Sequence, residues 1–226
     1  MATWPIDPPA SLCFAAIEVA RQAVTGLSVS PYTLSQEAYE WPGQGWALSV
    51  SLPLNADRRQ QRELDAFLAR LSGRVGTFRM ALPDHDAPAG VVQNPVLIEA
   101  AAARADSVAV EHRFNAELWL WPVFAVGDVV EIGSAIHMIT AVETVADWIS
   151  DGLMDFTVPT NGAGGWSAAP IRQRAWFWPR LRAAAAEGDV VEAINPRGLW
   201  RLADDRQGYA LDLMHRSNSL KFVEAQ

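Results

Sequence analysis

Hydrophobic and polar positions are most regularly ordered from Gly45 to Leu82. Trp46, Leu48, Val50 and Leu52 alternate with Ala47, Ser49 and Ser51, the period of a strand with one buried face, and Pro53 ends its ladder. From Asp57 the apolar residues fall at Leu64, Phe67, Leu68 and Leu71, while Arg58, Arg59, Arg62, Glu63, Asp65 and Arg70 fill most other positions. That spacing predicts one amphipathic helix over Asp57 to Leu71, about four turns long. Asn55 is the expected cap at its start, and Gly73 the left-handed stop at its end. Phe78, Met80 and Leu82 then share one face of a return strand.

Further on the periods are short and strand-like. Val96-Leu97-Ile98 and Val108-Ala109-Val110 flank Glu99 to Arg104, a run of helical propensity too short to stand alone and read as loop or strand edge. Val126-Gly127-Asp128 turns into Val129 to Ile132, Gly133-Ser134 makes the next turn, and Ala135 to Val142 returns with Ile136, Met138 and Thr140 on one face. His137 points the other way and is expected at a surface or interface. Met154 to Pro159 alternates again, and Asn161 to Gly165 is a flexible crossing. The peptide Gly-Asp-Val-Val-Glu occurs at Gly127 to Glu131 and at Gly188 to Glu192. Both copies read as hairpins of similar design, the second turning through Asn195 to Gly198 into Leu199 to Leu202. The flanks point to convergent turn chemistry rather than duplication. Asp204 to Gly208 is one more turn, and Ser219 to Val223 closes the fold.

The predicted fold class is therefore mainly β: a β-barrel or sandwich scaffold with one amphipathic helix, and a second small β-barrel-like unit. Residues 1–100 form the N-terminal scaffold, 101–164 a small inserted β domain, and 165–226 the strands that complete the scaffold.

Composition narrows the chemistry. Half of the 226 residues are apolar, enough for a substantial core. The net charge is −8 with no run of Lys or Arg, which argues against tracking a phosphate backbone. A lone cysteine, Cys13, excludes an internal disulfide and a thiolate metal cluster. No basic leader with a long apolar run opens the chain and no 18-residue apolar stretch occurs, so cytoplasmic synthesis without membrane insertion is expected. His85, His112, His137 and His215 share no metal or catalytic spacing, and Asp84-His85-Asp86 sits in a proline-rich loop that reads as a solvated turn. Catalytic residues, metal and cofactors are all expected to be none. Ten tryptophans stand out. Trp46 and Trp200 fit core positions. Trp119 with Trp121, and Trp176 with Trp178, each place two rings on one face of a segment just before a proline. Two readings stay open for them, a subunit interface or edge and the core; they are the candidate protein-interface residues.

Ser30-Pro31-Tyr32-Thr33-Leu34-Ser35-Gln36, then the Trp46 strand ending at Leu52-Pro53, then Ala66-Phe67-Leu68 and Leu71-Ser72-Gly73-Arg74-Val75-Gly76-Thr77-Phe78 form an ordered series. The series resembles the distal-tail-type proteins of long-tailed phages and gene transfer agents, and the likeness runs weakly past Ala125 to Asp128 and on to Lys221-Phe222. The resemblance implies a structural virion protein of the tail tip, made in the bacterial host cytoplasm. Such subunits form a ring, commonly a hexamer, that joins the tail-tube protein to the tail hub or baseplate protein. DNA would only pass through the lumen, where an acidic wall repels rather than grips it. Two other classes compete: a carbohydrate-binding or adhesin module, suggested by the paired tryptophans, and a cell-wall hydrolase of a phage tail.

Overall fold

The computed structural model describes residues 4–9, 14–51, 57–82, 94–112, 124–143, 171–205, 210–211, 216–217 and 219–225. Among the described residues the chain is mainly β with one helix, and it divides into two units, one of Met1–Pro83 with Gly198–Gln226 and one of Asp84–Arg197.

The first unit holds a five-stranded sheet. Its strands are β1 (Ala16–Val29), β2 (Gln36–Ser51), β3 (Phe78–Ala81), β9 (Arg197–Leu202) and β12 (Ser219–Glu224), in the order β1-β2-β12-β9-β3. Leu48 lies opposite Phe222, and Phe222 opposite Leu202, so one apolar row crosses three strands. Helix α1 (Arg58–Leu71) covers this face with Leu64, Phe67 and Leu71. The Phe67 ring meets Phe78 edge-on with centroids 5.4 Å apart, and Phe78 meets Phe222 at 5.1 Å. Trp46 and Trp200 are buried, as expected, and the Trp200 indole donates to the Met80 carbonyl at 2.9 Å.

The helix starts two residues later than the expected Asn55 cap. Asp57 is the N-cap, and its backbone N–H donates to the Gln60 side chain at 3.2 Å. At the other end Ser72 is already left-handed, at φ 51°, and Gly73 follows at φ 70°. Arg74 then pairs with Asp204 and Asp205, while its backbone N–H donates to Asp205 Oδ1 at 3.1 Å. A Cβ on Gly76 would stand 2.4 Å from the Leu71 carbonyl oxygen, so only glycine allows the chain to return this closely beneath the helix. The Ser72 to Phe78 motif is thus a lock between helix and sheet.

In the second unit β4 (Val96–Leu97), β5 (Ser107–His112), β6 (Val129–Ile132), β7 (Ala135–Val142) and β8 (Ile171–Trp178) form an antiparallel sheet ordered β4-β5-β8-β7-β6. The segment 188–192 joins its two ends. It bonds β4 through Leu97 N–H to Asp189 O, and β6 through reciprocal bonds between Glu131 and Glu192. The ladder so closed encloses Val108, Val110, Phe124, Val130, Ile139, Phe177 and Val191, giving the small barrel that the strand spacing predicts. Gly133 and Ser134, at φ 60° and 77°, make the expected tight turn between β6 and β7. Residues 98–105 form no helix, consistent with the loop reading.

Three further expectations change. The unit boundaries fall at 83/84 and 197/198 rather than at 100/101 and 164/165, because β4 and β8 pair with β5 and belong to the barrel. The second Gly-Asp-Val-Val-Glu does not form a hairpin with β9, since β9 pairs with β12 in the other unit. Its turn nevertheless repeats the first in detail. Asp128 Oδ2 accepts from Ala125 N–H at 2.7 Å, and Asp189 Oδ2 accepts from Ala186 N–H at 2.7 Å. Gly127 N–H donates to Ile139 O as Gly188 N–H does to Leu97 O. The barrel therefore has two equivalent corners whose glutamates meet each other. Finally, His137 is fully buried rather than at a surface. Both faces of β7 are covered at this level, so alternation does not separate inside from outside there.

Candidate functional site

The sequence-predicted interface residues divide. Trp119 and Trp121 lie outside the described residues, as do Asp84-His85-Asp86 and Met154 to Pro159. Trp176 and Trp178 are half-buried on β8, on the side opposite Ala175 and Phe177, which face the barrel core. They do not sit on an edge. Strand β8 lies between β5 and β7, with Trp178 opposite Met138 and Trp176 between Ser107 and Ala141. Pro179 follows the strand instead of interrupting it, so the missing N–H exposes no ladder.

Among the described residues the exposed large apolar side chains gather elsewhere, in the outer half of the β1–β2 hairpin. Pairing runs from Ala16 opposite Ser51 to Gln22 opposite Gly45, then resumes at Val24 opposite Trp41. Pro42, Gly43 and Gln44 bulge out between these registers. Pro42 has no ladder donor, and a Cβ on Gly43 would approach Val24 Cγ2 to 2.8 Å. Beyond the bulge the hairpin continues as an arm, β1 being the outermost strand of its sheet.

Cross-strand pairing places Val24, Ser28, Glu37, Tyr39 and Trp41 on one face of the arm, and Thr25, Leu27, Val29, Ala38 and Glu40 on the other. Both faces are open to water. Leu27 is 65% exposed and Trp41 60%. At the tip, Ser30 N–H donates to Ser35 O at 2.9 Å and Leu34 N–H to Ser30 O at 3.0 Å, closing a tight turn. Thr33 and Ser35 hydroxyls bond each other at 2.8 Å. This turn holds Leu34 at φ 56°, a left-handed conformation that costs a branched side chain about 1 kcal/mol, yet Leu34 stays 74% exposed and Tyr32 95%.

The arm's polar groups are acidic. Tyr39 donates its hydroxyl to Glu37 at 2.5 Å, which raises the phenol above its usual pKa, and Gln44 donates to Glu40. No Lys or Arg occurs between Gln22 and Asp57.

The signal for the arm was present but weak. Val24, Leu27, Val29, Leu34, Tyr39 and Trp41 are apolar without a consistent period, which reads as loop when the expected element has one buried face.

Among the described residues no group of three or more His, Cys, Asp or Glu is placed to hold a metal ion, and no helix is long and apolar enough to cross a membrane. Buried polar groups in the barrel have structural tasks. Gln173 accepts from Phe124 N–H at 2.8 Å and donates to Phe124 O at 3.2 Å, tying the first corner to β8. Glu131 accepts from Arg197 N–H at 2.8 Å, and Glu192 from Asn195 N–H at 3.0 Å. His137 Nδ1 donates to the Pro179 carbonyl at 2.6 Å, and its ring packs edge-on against Phe177. Burial drives its pKa down to about 4; Arg182 adds to that effect, and the backbone groups of Pro179 and Ile132 oppose it.

Compared with models of known protein families and with curated proteins, the sequence matches none.

Proposed function

We propose that this protein is a structural subunit of the tail tip of a long-tailed phage or gene transfer agent, forming a ring that connects the tail tube to the hub. The observation that carries the reading is the arm: Val24, Leu27, Val29, Tyr32, Leu34, Tyr39 and Trp41 project from a hairpin with neither face covered. A soluble monomer gains nothing from so large an exposed apolar surface, whereas a subunit that is buried on assembly does. The ordered likeness to distal-tail-type proteins supports the location, because two of the segments that carry it are the arm's tip and the Ser72 to Phe78 lock. In this reading the partners are protein surfaces, namely further copies of the chain, the tube and the hub. The protein is not an enzyme and carries no cofactor.

Negative-stain class averages of the purified protein, with mass spectrometry of tailed particles from the producing cells, test the reading. Closed rings and a tail-associated protein are expected. A strictly monomeric protein that is also absent from the particles would remove it.

A further inference from the structure

The arm needs a partner surface, and the chain itself offers a complementary one. Residues 58–79 hold six arginines against two acids, Glu63 and Asp65, whereas the arm carries Glu37 and Glu40 and no base. On α1, Arg58, Arg62, Ala66 and Ala69 are exposed, away from the face of Leu64, Phe67 and Leu71. Arg59 is engaged with Glu63 at 3.0 Å. Arg58 and Arg62, one turn apart, head this face and Asp65 shares it with the small residues Ala66 and Ala69, so its cationic part is the Arg58–Arg62 end. The arm's Glu37, Tyr39 and Trp41 form a row on one face, with Gly26 opposite Tyr39 and the Trp41 ring lying over it. Successive members of that row are about 7 Å apart, and Arg58 and Arg62 are about 6 Å apart along the helix.

We infer that the Glu37-Tyr39-Trp41 face of the arm of one copy lies along the Arg58-Arg62-Ala66-Ala69 strip of α1 in the next copy. Glu37 meets Arg58 as a carboxylate–guanidinium pair, and Arg62 stacks on the aromatic rings. The alanines leave room for the indole. The two patches are different surfaces of the same chain, so the contact is heterologous, and a repeated heterologous contact makes a ring where the rotation between copies closes and a filament where it does not. An arm-to-arm contact across a two-fold axis would instead set one acidic arm against another, with no base on either. The inference rests on the ring reading and names its partner surface.

The test is a charge exchange in the full-length protein, read by sedimentation velocity over a range of concentrations at low salt. Glu37→Arg and Arg58→Glu are each expected to weaken self-association by about tenfold or more, with melting temperatures unchanged because both sites are exposed. The double variant restores a pair of reversed sign and is expected to recover most of the loss. Raising the salt should weaken wild type and double variant alike. A wild type that assembles while the double variant stays as weak as the singles, or while the single reversals have no effect, overturns the arm–helix contact and leaves the ring reading standing. A wild type that remains monomeric at every concentration overturns both.

Discussion

One hairpin contains two regimes. In its inner half, from Ala16 to Gln22 and Gly45 to Ser51, Trp46, Leu48 and Val50 are buried in alternation with serine and alanine, and β12 pairs along β2. In its outer half the same two strands carry equally apolar residues, none of them covered. Only the bulge at Pro42 to Gln44 separates them. Hydrophobicity alone therefore does not say what a residue is for. In the inner half it drives folding through area removed from water, about 25 cal/mol per Å². In the outer half no such area is removed from water.

The largest expected effect tests the buried side of that contrast. Leu48→Asp or Phe67→Asp would bury an unpaired charge, in the central apolar row or between helix and sheet, and should cost several kcal/mol of stability. Leu27→Asp on the arm should change chemical denaturation of the subunit by less than about 0.5 kcal/mol. Similar losses at Leu27 and Leu48 would show that the arm is packed within its own chain.

The barrel supplies the second test, since there even a histidine is interior. His137 has a folded-state pKa of about 4, below its usual 6.5, so the unfolded chain takes up the proton first. The stability it contributes is whole above pH 6.5 and is lost as pH falls towards 4, by about 3 kcal/mol over the window. His137→Gln, which keeps a donor for the Pro179 carbonyl, should flatten this part of the profile. Denaturation at pH 7.5 and 4.5 measures it. An unchanged slope in the variant would place the acid sensitivity on the carboxylates.

The comparison also explains what was legible in the sequence. Helix α1, the inner half of β2 and the β6–β7 hairpin are local, and each has one buried face, so period and turn chemistry disclose them. His137 was misplaced because alternation assumes a solvated side, whereas β6 and the start of β7 are buried throughout. The unit boundaries were missed because barrel closure by 188–192 joins residues some 60 to 90 positions apart in the chain, and no local pattern encodes such a pairing. The arm was missed for the opposite reason. Its apolar residues are exposed on both faces, so no buried side imposes a period on them.

A third prediction separates the two kinds of tryptophan. Trp41→Ala should leave the melting temperature of the subunit within a degree or two and weaken assembly by about 2 kcal/mol, as loss of an aromatic anchor does. Trp178→Ala removes a half-buried ring from an interior strand and should lower the melting temperature as well. Normal assembly by the Trp41 variant would contradict the role given to the arm. An unchanged melting temperature for Trp178→Ala would place that ring entirely at an interface.

The smallest expected effect is on α1. Arg58 begins the helix, where a cation faces the positive end of the helix dipole and is disfavoured by roughly 0.3–1 kcal/mol, and the first turn holds no acid. Arg58→Asp should therefore leave the folded subunit as stable as wild type or slightly more so. Stability kept without Arg58 is what the proposed arm–helix contact expects of a residue on the exposed face of the helix. Chemical denaturation decides the matter. A loss approaching that of Phe67→Asp would show that Arg58 serves the fold, and the cationic strip would then have no claim to be a docking surface.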